Sequence, residues 1–150
     1  MNIHISVRAI IISQGKLLCF RLQPTKADPD KDSFWSTPGG GLDPGEDLLS
    51  GLSREMIEET GIAPLIGNLL YVQQFRHKDQ ELMDFMFEVK NVRDYLAIDL
   101  NKTSHGLEEV EEIAFVEPKS AHILPVFLTE VSLEDDLRSG KTRYFNYLSS

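Results

Sequence analysis

Three glutamates sit unusually close together in the run "REMIEETGI" at residues 54–62. Glu55, Glu58 and Glu59 are spaced i, i+3 and i+4, which on a helix makes their carboxylates neighbours. Like charges at that spacing cost a helix roughly 0.2–0.5 kcal/mol per pair. They fall in what would be the last turns, where the helix dipole disfavours negative charge by about 0.3–1 kcal/mol. Gly61, just beyond them, suits a left-handed helix stop. Crowded carboxylate oxygens are what a hard divalent cation needs: Mg2+ keeps several waters and binds through a few carboxylates plus substrate phosphates. Such an ion turns repulsion into attraction and lets an acidic chain hold a diphosphate. It can also activate a water and neutralise charge developing on phosphorus. Beside that gain, a helix loss of ~1–2 kcal/mol is small. Taken alone, though, a glutamate-rich helix is more often a solvated face.

The elements that must position these carboxylates can be read from periodicity. Residues from about 47 to 60 read as a helix with an acidic start at Glu46 and Asp47, which suits the dipole. Leu48, Leu49, Leu52 and Met56 share an arc of about 100° that should face a core, with the glutamates on the adjoining arc. Gly51 is costly in a helix, and close packing on a sheet would explain it. Ahead of the helix, "FWSTPGGGLDPGED" is punctuated by glycine and proline and reads as a shaped loop. Ile3, Ile5, Val7, Ala9 and Ile11 alternate as in a strand, and "SQG" turns the chain into "KLLCFRL", suggesting a hairpin. "LLYVQQF" and "LMDFMFEVK" read as two more strands joined across "RHKDQE". Residues 91–112 are polar and acidic, a long loop or partly helical insert, followed by a short strand "EIAFVEP". "PKSAHILPVFLTEVSLEDDLRSG" reads as helical, with starts at Pro125 and Ser132 and a stop at Gly140, and "RYFNYL" as a last strand. This order predicts a mixed sheet with helices on both faces.

A longer pattern surrounds the glutamates. Gly40 is followed by five residues and Glu46; seven more lead to Arg54, Glu55, Met56, Ile57, Glu58, Glu59, Thr60, Gly61 and Ile62. That is G-x5-E-x7-R-E-U-x-E-E-x-G-U without a gap, where U is a bulky aliphatic residue. With the preceding "WSTPGG", the chain resembles the Nudix hydrolase superfamily. The resemblance implies an α/β (α+β) fold, a Nudix-type α/β/α sandwich with a mixed β-sheet between helices. The catalytic loop-helix-loop would lie at 40–62 and a single domain would span 1–150. It implies metal-binding roles for Glu55, Glu58 and Glu59, joined by a backbone carbonyl of Gly39 or Gly40, with Mg2+ as cofactor and Mn2+ as the alternative. Glu55 is also the candidate general base. Arg54 is placed to orient a neighbouring carboxylate, with Glu46 paired to it, so that Glu46, Arg54, Glu55 and Glu58 form the catalytic set. Many family members add a further glutamate from the loop before a late strand; Glu108, Glu109, Glu111 and Glu112 are all candidates for that ligand or base.

The implied reaction is attack of water on a phosphorus of an X–P–O–P linkage, with X usually a nucleoside. Features that mark ADP-ribose, NADH and coenzyme A subclasses are absent: no proline interrupts "QQFRHKD", for example. That leaves nucleoside triphosphates, oxidised nucleotides included. ADP-ribose or another nucleotide sugar, a dinucleoside polyphosphate and a non-catalytic nucleotide-binding module remain the alternatives. A module that had lost catalysis would be expected to lose a glutamate of the pattern, and none is lost. Arg21 could contact a phosphate and Trp35 could line the substrate cleft, although an exposed arginine and a core aromatic are equally good readings.

Composition sets outer limits. The 150 residues carry 24 acids against 15 bases, a net charge of −9, which argues against a nucleic-acid surface because that needs a basic stripe. The expected partner is a small nucleotide. Dimers are common in the family, so a homodimer is left open. Cys19 stands alone, so no intrachain disulfide forms, and within "KLLCF" it reads as a small core residue suited to a reducing cytoplasm. "MNIHISVRAIII" is broken by His4, Ser6 and Arg8 and does not read as a signal peptide. No apolar run approaches the ~18–20 residues of a membrane span. His4, His77, His105 and His122 show no metal-ligand spacing.

Overall fold

The computed structural model describes residues 2–98 and 106–148. The first strand, β1 (Ile3–Ile10), belongs to one sheet, and the chain then leaves it through Ile11 for a second sheet. There β2 (Ile12–Ser13) and β3 (Lys16–Leu22) form a hairpin whose turn places Gln14 and Gly15 at positive φ. The predicted hairpin is therefore real, but its first arm is the two-residue β2 and not β1. The loop predicted at 34–47 holds two short strands, β4 (Trp35–Ser36) and β5 (Gly39–Gly41). Helix α1 (Leu48–Thr60) follows. Then come the long hairpin partners β6 (Ile66–His77) and β7 (Gln80–Val89), joined by a turn of only Lys78 and Asp79.

The stretch predicted as a loop or partly helical insert contains a 3-10 turn at Val92–Tyr95 and a short α2 (Gly106–Glu109), which leads directly into β8 (Val110–Val116). The segment predicted as helical from Pro118 is broken up. It gives β9 (Ile123–Leu124), α3 (Phe127–Glu130) and α4 (Leu133–Ser139). Ser132 and Gly140 flank α4 as the start and stop signals predict, but Pro125 precedes a single turn rather than a long helix. The chain ends with β10 (Arg143–Asn146).

Two mixed sheets result, where one was expected. The first runs β10-β6-β7-β1-β5, with β10 parallel to β6 and β1 parallel to β7. The second runs β2-β3-β4-β9, with β8 antiparallel along β3. Strand alternation sorts the core into two clusters. Val7, Ala9 and Ile11 face Leu52 and Met56 of α1, together with Leu18 and Phe20. Ile10, Leu17, Cys19, Tyr71 and Met86 face the other way, against Phe127, Leu128 and Leu133. Cys19 is fully buried, and burial pushes its thiol up to about 12, as an inert core residue requires. No helix among the described residues is long and apolar enough to cross a membrane.

Candidate active site

Helix α1 is fixed at both ends. Asp47 accepts hydrogen bonds from Ser50 N at 2.8 Å and Ser50 Oγ at 2.9 Å, the N-cap arrangement. Gly61 closes the other end with φ 76°, its N–H donating to Ile57 O at 2.9 Å. The buried residues of α1 are Gly51, Leu52, Met56, Glu59 and Thr60. Leu49 is not among them: it is 50% exposed, so the predicted apolar arc is narrower than expected. Gly51 packs not on the sheet but on the preceding loop, where a Cβ would collide with the Leu42 side chain.

Glu59 is the surprise of the helix. It lies seven residues beyond Leu52, on the same stripe as Met56 and Thr60, so it takes a core-facing position and is 2% exposed. The three glutamates therefore fan outward across α1. Glu59 is inside, Glu55 is at the flank with a side chain 13% exposed, and Glu58 is outermost at 27%.

Glycines bring the preceding loop against this fan. Strand β5 pairs with β1 in the register Val7↔Gly40 and Arg8↔Gly39. Gly39 has φ +136°, and a Cβ there would strike the Val7 carbonyl. A Cβ at Gly40 would lie 2.7 Å from Glu55 Oε1, so only glycine lets this backbone approach the carboxylate.

Arg54 ties loop and helix together. Its Nε and Nη2 donate to both oxygens of Glu46, at 2.8 and 2.9 Å. Nη2 also donates to Gly41 O at 3.0 Å, and Nη1 to Glu55 Oε1 and Glu58 Oε2, each at 3.2 Å. Asp43 adds a carboxylate 3.2 Å from Nε. The Arg54 hydrogen bonds, aided by the Asp43 N–H, hold the Glu46 carboxyl down at about 2. In return Glu46, followed by the charges of Glu55 and Asp43, holds the guanidinium more firmly protonated than usual. The orienting role predicted for Arg54 and its pairing with Glu46 correspond to these contacts.

The electrostatics inside the fan are different. Burial pushes the Glu59 carboxyl well above the usual range, and the charge of Glu55 and a hydrogen bond with it push further, while Arg8 partly offsets them. Glu59 Oε1 is buried without a hydrogen-bond partner. A cavity of about 430 Å³ opens here, lined by Gly39, Gly40, Arg54, Glu55, Glu58 and Glu59, and also by Glu108 and Glu109. Glu111 and Glu112 do not reach it. They are exposed on β8, and Glu112 stands 3.6 Å from Arg21. Their separation from Glu108 and Glu109 follows from the start of β8 at Val110, where alternation replaces the helical turn.

Arg21 and Trp35, for which a substrate contact is one of two readings from sequence, contact each other. Arg21 stacks on Trp35, 4.4 Å from its ring centroid, and Trp35 is 9% exposed within the core. Neither lines the carboxylate cavity or the larger cleft beside it. That cleft, about 540 Å³, is walled by Phe34, Phe75 and Pro125, with Gln73 and Asp84 at its floor. Arg8 lines the larger cleft, its Nη1 donates to Thr37 O at 2.9 Å, and its charge acts on Glu59. Sequence reasoning missed Arg8, Phe34, Gln73, Phe75 and Asp84. Polar residues inside apolar strands were the available signal, since Arg8 interrupts "ISVRAI" and Asp84 interrupts "LMDFMF".

No curated protein sequence matches the chain. Among solved structures, a MutT protein from Methanosarcina mazei Go1 is similar at 24% identity and a TM-score of 0.70, with 93% of this chain and 96% of that one covered. The E. coli ORF135 protein is similar at 23% identity and 0.67, with 94% of each chain covered. A UDP-X diphosphatase is similar at 19% and 0.66, with 97% of this chain and 68% of that one covered. At these identities the likeness is one of fold. The sequence model of the NUDIX domain matches residues 2–136, and with that match spanning most of its length the chain belongs to the Nudix family, as a pyrophosphohydrolase by class.

Proposed function

We propose that this protein hydrolyses nucleoside compounds joined through an X–P–O–P linkage, nucleoside triphosphates and their oxidised forms first among them, with Mg2+ as cofactor. The observation that carries the reading is Glu59. A carboxylate taken 98% out of solvent with an unpartnered oxygen is costly, and it is retained where a cation can complete it.

Three features fit such an ion. The donors around the cavity are hard carboxylate oxygens, the backbone of Gly39 and Gly40 lies against Glu55 where a side chain would intervene, and negative charge predominates on the walls. Glu55, Glu58 and Glu59 with a Gly39 or Gly40 carbonyl are the ligand set. Among the described residues no three acidic groups already converge tightly enough to enclose an ion, which suits a cation held jointly with phosphate oxygens and water. When bound, the ion supplies charge neutralisation on the phosphates and a more acidic water.

The chain's own residues do the rest. Arg54 holds Glu55 and Glu58 in place through one nitrogen, so a proton can be accepted at Glu55 from a fixed position. Glu46 holds the Arg54 guanidinium in its place on the cavity wall. Glu108 or Glu109, which also line the cavity, is placed to supply a further ligand or base. Arg8 lines the larger cleft with its charge acting on Glu59, and can hold a phosphate there.

Phosphate release from a panel of nucleotides with Mg2+, using Glu58→Gln as control, tests this. Wild type should turn over at least one diphosphate-linked nucleotide, and the variant should lose nearly all activity while melting no earlier. Equal turnover by both proteins would refute the assigned site. No turnover on any substrate would favour a binding module.

A further inference from the structure

The floor of the larger cleft is polar where its surroundings are not. Gln73 of β6 stands opposite Asp84 of β7, and Asp84 opposite Ser6 of β1, so a row of polar side chains crosses the first sheet. One pleat away on the same face lie Tyr71 and Met86, which are core residues. Gln73 and Asp84 are 4% and 5% exposed. Gln73 Nε2 donates to Asp84 Oδ2 at 2.8 Å. Among the described residues no cation pairs with Asp84, and neither Asp84 Oδ1 nor Gln73 Oε1 accepts a hydrogen bond. Both residues line the cleft. A buried carboxylate is expensive to keep, and nothing in the sheet's own packing requires this one.

We propose that Gln73 and Asp84 read the donor-rich edge of a guanine-type base seated in this cleft. The proposal rests on the nucleotide reading above. An ionised carboxylate only accepts, with about four lone-pair sites, and Gln73 uses one of them. The Gln73 carbonyl adds about two more, against one spare N–H. The floor therefore presents a surplus of acceptors. Guanine carries a ring N–H and an amino group side by side on its pairing edge. Adenine and cytosine set one amino group beside a ring acceptor, and uracil sets one N–H between two carbonyls. Each of these offers one donor group where guanine offers two, and so leaves more of the floor's acceptors unpaired. A site built to satisfy particular donors discriminates strongly against analogues that lack them, because its buried polar groups are then left unpaired. Phe34 and Phe75 supply faces for a flat ring, and Arg8 lies toward the glutamates, where the phosphates would run.

The decisive comparison uses no variant of the protein. NMR titrations of the wild-type chain in EDTA with GMP, IMP, AMP, CMP and UMP should show GMP binding at least about tenfold tighter than IMP, which lacks only the amino group. The other three should be weaker than GMP. Glu58→Gln, in the other cavity, should keep this order. Asp84→Asn, checked by thermal melting to be folded, should shrink the GMP preference to less than about threefold. Equal affinities of wild type for GMP and IMP, no saturation by GMP, or an unchanged preference in folded Asp84→Asn would each overturn the proposal. Hydrolysis without the preference would sink this inference and spare the catalytic one. The preference without hydrolysis would do the reverse.

Discussion

The carboxylate cavity and the cleft that Arg8 lines are built in opposite ways. In the first, the three glutamates of α1 and the glycine backbone facing them come from one contiguous segment, Gly39 to Glu59, clamped by a single arginine that makes hydrogen bonds of 2.8–3.2 Å to loop and helix, while Lys31, Glu108 and Glu109 complete its walls. The second is assembled from β1, β4, β6, β7 and the turn around Pro125, segments that meet only when the sheets form. Charge and fixed hydrogen bonds dominate the first, whereas rings and aliphatic walls dominate the second. The difference separates two tasks. Reacting atoms need positions held within a fraction of an ångström, which a local clamp provides. Recognition needs only a shaped surface, and distant strands can be changed there without moving the clamp.

The severest way to break this division is to disturb the clamp without touching a charge. In Gly40→Ala the added methyl would lie 2.7 Å from Glu55 Oε1, and Glu55 must turn away. Turnover on every substrate is expected to fall about 10²-fold, the scale of a 1 Å misplacement. The affinity of the cleft for a nucleoside monophosphate should stay within about twofold, since Gly40 is not part of it. Steady-state kinetics and a binding titration on the same preparation measure both. A loss of base affinity equal to the loss of turnover would mean that the two spaces are not separable.

The same contrast explains what could be read in advance. The glutamates, the glycine pair and the Arg54–Glu46 pairing lie within two dozen residues, and the resemblance to the Nudix pattern over that stretch is what points to them. Helix caps at Asp47 and Gly61 obeyed local rules. What escaped depended on distant partners. Glu59 reads, with Glu55 and Glu58, as lying on the arc beside the core rather than in it, because helical periodicity does not say that β1 and β5 will cover that stripe. For Arg21 and Trp35 sequence leaves cleft and non-cleft readings equally open; they stack on one another where β3 and β4 are paired at Phe20↔Ser36. Asp84 stood out only as a polar break in an apolar strand, and its pairing was not legible, since its partner Gln73 is 11 residues away across a hairpin whose register sequence did not specify. Val110 turned a supposed acidic loop into a strand, and that is why Glu108 and Glu109 reach the cavity while Glu111 and Glu112 do not.

A change in the cleft should have a smaller and different effect. Phe34→Ala removes a ring that lines the cleft and leaves α1 untouched. For a good nucleotide substrate, KM should rise about five- to tenfold with kcat within about twofold, the signature of binding lost equally from ground and transition states. A fall in kcat matching the rise in KM would show that the base helps to align the phosphates, and the two regions would then act as one.

The smallest expected effect concerns Glu46, which belongs to the clamp but touches no substrate. Its carboxyl is held at about 2 by Arg54, below the ordinary 4.5, so the folded state favours its charged form. For a group depressed in this way the added stability is present above the unfolded value, near 4.5, and is lost as the pH falls through about 2. Glu46→Gln should therefore melt below wild type at pH 7. The gap should begin to close below about 4.5 and vanish near 2. Melting curves of both proteins across that range would show it. A gap that stayed constant with pH would mean that the loss comes from the shape of the hydrogen bonds to Arg54 and not from the charge, and the clamp would then be a matter of geometry alone.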